Sequence, residues 1–99
     1  MKSAEQRIVK WAEKREIFYK STAIRQYLKA AEEMGELSSA LLKGDVEGIA
    51  DAIGDVQVCL TNLAHFYGLS AERCKEEVVE IIEKRTGKMV NGAFVKDNK

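Results

Sequence analysis

A chain of 99 residues with 16 basic and 16 acidic side chains and no proline predicts one helical domain over residues 1–99, burying roughly 65% of the surface its unfolded form exposes. The balanced charge argues against nucleic acid or an anionic membrane as the main partner. No apolar run is long enough to span a bilayer, and Met1-Lys2-Ser3-Ala4-Glu5 enters helical periodicity without a signal-peptide pattern, so a cytoplasmic protein is expected.

Ser3 with Gln6 three residues later reads as a capping box. Ile8, Trp11, Ala12, Arg15 and Phe18 then continue one helical stripe, so the first helix is expected over 3–19. Ser21 or Thr22 can cap a second helix over 22–43, whose core face reads as Ile24, Tyr27, Leu28, Ala31, Met34, Gly35, Ser38 and Leu42. Gly44 is a natural helix stop and Asp45 a natural next N-cap, which enforces an antiparallel hairpin into a third helix over 46–67. That helix presents Ile49, Ile53, Val56, Leu60, Leu63 and Tyr67. Ser70 caps a fourth, over 71–86, with Cys74, Val78, Ile81, Ile82 and Arg85 in register. In the tail, 88–99, Asn91-Gly92 between apolar residues signals a β-hairpin, which needs the bundle or a partner subunit to dock on. The expected fold is therefore all-α, an antiparallel bundle of about four helices with a short C-terminal hairpin or extended tail. Cys59 and Cys74 lie in apolar helical patterns without metal-type spacing and are expected as reduced core or near-core thiols.

The chemistry concentrates in the helical hairpin. Glu32 and Glu36 lie roughly 40° apart on a helical wheel, and Glu33 roughly 60° beyond Glu36. Asp51, Asp55 and Asn62 fall within an arc of about 40° on the next helix. Antiparallel packing brings the two acidic patches face to face, and like charges about 4 Å apart repel by roughly 4 kcal/mol at an effective dielectric near 20. A cation between them removes that cost, and oxygen ligands without Cys or His companions point to Mg²⁺ or Mn²⁺. The bland alternative is a pair of solvated faces with ordinary i,i+4 pairs such as Lys29 with Glu33. Gly35 and Gly54, mid-helix beside the acids, tilt the balance, since each costs up to about 1 kcal/mol against alanine unless something approaches closely. His65, Trp11 and Tyr27 read as surface, interface or core residues rather than ligands.

Glu32-Glu33-Met34-Gly35-Glu36, followed after a short hairpin by Ile53-Gly54-Asp55-Val56, resembles the MazG-type all-α nucleoside triphosphate pyrophosphohydrolases, whose pattern is E-E-x-x-E, a spacer, then E-x-x-D. The tail Arg85-Thr86-Gly87-Lys88-Met89-Val90-Asn91-Gly92 resembles the ending of small, phage-type members. The resemblance implies Mg²⁺-dependent hydrolysis of a nucleoside triphosphate to the monophosphate and pyrophosphate, as in clearing of the nucleotide pool, with Mn²⁺ as a substitute. By position it places metal ligands at Glu33, Glu36 and Asp55, and Glu32 is assigned as the catalytic base. This chain departs from the pattern in having Ala52 where the family has glutamate. Asp51, one residue earlier, can reach the same metal and completes the ligand set. Asn62, Lys84, Arg85 and Lys88 are the candidate substrate-binding groups.

A chain this short cannot also wall off a nucleoside, so a homodimer or homotetramer is expected to complete the pocket. The alternative is a catalytically weak or inactive relative, a metal- or nucleotide-binding module or a structural oligomer, in which Ala52 has removed an essential ligand.

Overall fold

The computed structural model describes residues 2–97; of the tail expected over 88–99, residues 98 and 99 lie outside the described range. Five helices, α1 (Ala4–Lys14), α2 (Ile17–Lys20), α3 (Ala23–Lys43), α4 (Val46–Phe66) and α5 (Ala71–Ile82), precede an antiparallel pair, β1 (Gly87–Val90) and β2 (Ala93–Lys96). The architecture is the all-α bundle with a terminal hairpin that the periodicity predicts. No helix among the described residues is long and apolar enough to cross a membrane.

Local chemistry sets the element ends. Gln6 N–H donates to Ser3 Oγ at 3.1 Å and Ser3 N–H donates to Gln6 Oε1 at 2.9 Å, closing the capping box of α1. Thr22 caps α3, Asp45 caps α4 through Gly48 N–H at 3.0 Å, and Ser70 caps α5. Gly44 takes φ 67° after α3, a left-handed conformation that a residue with a Cβ pays to adopt. The chain thus reverses within two residues, and α3 and α4 form a long antiparallel hairpin, the principal packing of the molecule. Gly48 makes its close end possible: a Cβ there would lie 3.2 Å from the Ala40 methyl and closer still to the Asp45 carboxylate.

The first helix departs from expectation. It stops at Lys14, and Glu16 takes φ 60° before the single turn of α2. The turn redirects the chain so that Phe18 packs on the end of α4, its ring 4.4 Å from His65 and 5.2 Å from Phe66. The last helix ends at Ile82 rather than 86, and the strand begins one residue earlier than the expected tail.

The larger correction concerns which side of α3 turns inward. The residues buried or half-buried are Ala23, Gln26, Ala30, Glu33, Leu37 and Ala40, a 3-4-3-4-3 stripe, half of it alanine, lying on α4. The expected core face, from Ile24 and Leu28 to Leu42, points outward, and Leu42 is 90% exposed. Small residues let the two backbones approach, whereas the large apolar ones gain nothing from α4 and remain uncovered. On α4 likewise, Ala52, Cys59, Thr61 and Asn62 are buried and Ile49, Val56 and Leu63 half-buried, but Ile53, Leu60 and Tyr67 are exposed. No residue of α5 is buried, including Cys74, which is a free exposed thiol rather than a core one.

Candidate active site

The carboxylates that the sequence singles out meet in one place. A cleft of about 330 Å³ between the C-terminal half of α3 and the N-terminal half of α4 is lined by Glu33, Glu36, Ser39, Ala40, Lys43, Asp45, Gly48, Asp51, Ala52 and Asp55. The antiparallel hairpin places Glu33 and Glu36 on one wall and Asp51 and Asp55 on the other, with Ala52, nearly fully buried, between the two aspartates. All four proposed metal ligands border the cleft. Their side chains are not drawn into a ready-made cage: among the described residues no three His, Cys, Asp or Glu side chains form a cation-binding group. The donor set is oxygen only, which suits a hard cation such as Mg²⁺ in kind.

Glu32 and Glu33 behave differently despite being neighbours. The Glu33 side chain is 14% exposed and turned into the hairpin, whereas Glu32 is 65% exposed and stands on the outer flank. Lys29 spans them, its Nζ 3.6 Å from an oxygen of each. The charges of Glu32 and then Glu33 hold the Lys29 ammonium above its ordinary pKa. The Lys29–Glu32 pair, exposed on both sides, contributes little to stability. Deeper in the hairpin, burial and then the negative charge of Glu33 push the Cys59 thiol up, so it stays protonated at neutral pH.

The remaining candidates are not at the cleft. Asn62, on the Asp55 face of α4, is 2% exposed, and its Oδ1 has no hydrogen-bond partner. Lys84 and Arg85 follow the end of α5 and Lys88 lies in β1; none of the three is among the cleft-lining residues of its own chain. The cation that does line it is Lys43, missed by the motif reading although it lies seven residues after Glu36 and therefore on the same helix face. Among the described residues no aromatic side chain lines the cleft.

Gly35 and Gly54 do not serve contacts within the chain, since a Cβ at either would meet nothing within 4 Å. The close approach expected from their cost is not made by any of the described residues of this protomer.

Comparison with known proteins agrees with the geometry. The family model described as phosphoribosyl-ATP pyrophosphohydrolase matches residues 4–85, which include all five helices and the whole cleft. The chain belongs to the phosphoribosyl-ATP pyrophosphohydrolase family. This family is related to the MazG-like enzymes, and its activity is of the pyrophosphohydrolase type on nucleotide-like substrates. A protein of Haemophilus phage HP1 (strain HP1c1), described as an uncharacterized 18.2 kDa protein in the rep-hol intergenic region, is 42% identical over 57 residues, 58% of this chain and 35% of the phage protein. The chain thus spans about a third of that relative's length. No solved structure matches.

Proposed function

We propose that this member of the phosphoribosyl-ATP pyrophosphohydrolase family is a MazG-like, Mg²⁺-dependent nucleoside triphosphate pyrophosphohydrolase, converting the triphosphate and water to the monophosphate and pyrophosphate. The observation that supports it most is the pair of facing carboxylate walls, Glu33 and Glu36 against Asp51 and Asp55, around one cleft. Four acids so placed repel one another, and their arrangement is explained by a ligand that carries positive charge.

In this reading Glu33, Glu36, Asp51 and Asp55 hold the cation. Bound there, Mg²⁺ would neutralise phosphate oxygens and lower the pKa of a coordinated water. Lys43 meets the polyphosphate at the cleft edge. Glu32, on the flank of the same helix and largely exposed, accepts the proton of the water that attacks in line at phosphorus, and pyrophosphate leaves. Manganese, which favours the same oxygen donors, would substitute.

One observation favours a second reading, a binding module with weak or no turnover. Ala52 stands where the MazG-like pattern has glutamate, and the acids are not preassembled into a three-ligand cluster.

The test is purified protein with Mg²⁺ against a panel of ribo- and deoxyribonucleoside triphosphates and phosphoribosyl-ATP, measuring monophosphate and pyrophosphate. Release of both from a triphosphate supports the first reading. Turnover of phosphoribosyl-ATP alone would replace the substrate class, and Mg²⁺-dependent nucleotide binding without products would establish the module.

A further inference from the structure

The N-terminal helix carries a concavity of its own. A cavity of about 360 Å³ between α1 and α4 is lined by Ala4, Arg7, Ile8, Trp11 and Val58, a volume within the range that holds small ligands. Its four α1 residues follow the i, i+3, i+4, i+7 spacing of one helix face. Ile8 and Val58 are half-buried, whereas Trp11, the only tryptophan of the chain, keeps 49% of its surface exposed. Two arginines flank it at one turn's distance. Arg7, four residues before, lines the same cavity, and Arg15, four residues after, places its guanidinium over the indole ring, 4.5 Å from the ring centre. Such a cation over the ring is attracted by its π-system and steadies it. Trp11 is thus a flat, half-exposed platform in positively charged surroundings.

The cavity and the acid-lined cleft share a side of α4. Val58 follows Asp55 by three residues, about 4.5 Å along the helix and about 60° around it. The aspartate wall of the cleft and the α4 edge of the cavity therefore lie within one helical turn, a step that the ribose of a nucleotide can bridge.

We propose that the α1 cavity takes the base of the nucleotide whose phosphates lie in the cleft, with Trp11 as the stacking platform and with little choice among bases. This inference rests on the nucleotide reading given above. The aromatic and aliphatic lining matches the apolar face of a nucleobase, and because every base has a π-face, stacking tolerates all of them. Arg7 and Arg15 make the rim of the platform complementary to an anionic ligand. The polar groups in the lining, the Arg7 guanidinium and the Trp11 indole N–H, are both donors only. The edges of the bases differ in their order of donors and acceptors, and a donor-only lining matches none of them as a set. Stacking supplies affinity here, the cleft supplies the chemistry, and the identity of the base matters little to either.

The experiment titrates the wild-type chain, in Mg²⁺, with the α,β-methylene analogues of ATP, GTP, CTP and UTP, which keep the base but resist cleavage between the α- and β-phosphates, and with inorganic tripolyphosphate. Trp11 emission is the readout, since no other tryptophan contributes. Every analogue should quench it, with dissociation constants within about tenfold of one another, and tripolyphosphate should bind without quenching. By calorimetry, Trp11→Ala should weaken each analogue about fivefold or more and leave tripolyphosphate unchanged, and Trp11→Phe should recover most of the loss. Analogues that bind without quenching overturn the proposal, as does an equal loss of nucleotide and tripolyphosphate affinity in Trp11→Ala. A preference of about 100-fold or more for one base also overturns it, because that requires a hydrogen-bonded edge. So does Trp11 emission that shifts with protein concentration and is unmoved by any nucleotide, the sign of a second copy in the cavity. Failure of the cleft reading looks different: adenosine alone would quench Trp11, and the triphosphate with Mg²⁺ would bind no more tightly, which keeps the base site and removes the phosphate site. The quenching comparison uses the wild type only, so it decides the outcome even where Trp11→Ala unfolds.

Discussion

The Ser70 hydroxyl donates to Glu5 Oε2 at 2.7 Å, while Glu72 N–H donates to Glu5 Oε1 at 3.1 Å, so a carboxylate from the first turn of α1 serves as a second cap on α5, 65 residues away. The same Ser70 oxygen accepts from Arg73 N–H at 3.2 Å. These bonds hold the Glu5 carboxyl below its ordinary pKa, the Ser70 hydroxyl contributing most and the Glu72 amide next. A lowered folded-state pKa stabilises the protein above the unfolded value, near 4.5, and that contribution is lost as pH falls through the folded one. Glu5→Gln should therefore cost about 1 kcal/mol at pH 7 in urea unfolding and progressively less below pH 4.5. Ser70→Ala, which loses the cap and the tie together, should cost about 1–2 kcal/mol. Equal losses for Glu5→Gln at pH 7 and pH 3 would remove the electrostatic account.

Glu16 is the place where the backbone itself is costly. At φ 60° it occupies a region that disfavours any Cβ, at roughly 1–2 kcal/mol. Its ion pair with Lys20, 2.9 Å and exposed on both sides, contributes little. Glu16→Gly should raise the melting temperature by a few degrees, about 0.5–1 kcal/mol. A loss of stability would mean that the pair, not the dihedral, governs this turn.

What the sequence made legible and what it did not follows from the range of each interaction. Ser3 with Gln6, Gly44 before Asp45, Ser70 and Asn91-Gly92 act over a few residues, so the helix starts, the hairpin reversal and the β-turn could all be placed. The acid cleft was legible for the same reason, since i,i+3 and i,i+4 spacing plus a short reversal suffices to oppose two patches. Glu16 gave no warning, because it is neither glycine nor proline and the apolar stripe runs on through Phe18. The inward face of α3 was misread because large apolar residues are the usual mark of a core, and here they are the mark of what the protomer leaves uncovered. The location of Lys84, Arg85 and Lys88 depends on the path of α5 after Gly68, which no local pattern encodes.

Asn62 bears an unpaired buried acceptor, and such a group costs about 1–3 kcal/mol. Replacing it with leucine, which has the same branching and number of side-chain heavy atoms, removes the cost and gains apolar contact. Asn62→Leu should stabilise the folded chain by about 1–2 kcal/mol in denaturant titration. If it also abolishes nucleotide turnover while raising the midpoint, Asn62 is held for function at the expense of stability. Destabilisation would show that the amide nitrogen makes bonds worth more than the orphaned oxygen costs.

The position of Ala52 offers the sharpest test of the cleft. Its methyl sits between Asp51 and Asp55 on the α4 wall, only 3% exposed yet part of the lining, so a longer side chain there has one direction open to it, into the space bounded by Glu33 and Glu36. Ala52→Glu adds a further negative charge to the cleft and should lower the melting temperature in the absence of divalent cations, because each added like-charge contact at this range is unfavourable by a few kcal/mol at most. With Mg²⁺ the sign reverses. A cation at one hundred times its dissociation constant stabilises by about 2.7 kcal/mol, which in a domain of this size is a rise of ten degrees or more. The variant should show the larger Mg²⁺-dependent rise, the wild type a smaller one, and Glu36→Gln none. Asp51→Asn should abolish the rise in the wild type but leave it largely intact beside Ala52→Glu, since the new carboxylate takes over its role. If instead Asp51→Asn is silent in both backgrounds while Glu36→Gln is not, the cation is held by Glu33, Glu36 and Asp55 alone, and Asp51 serves only to make the cleft more negative.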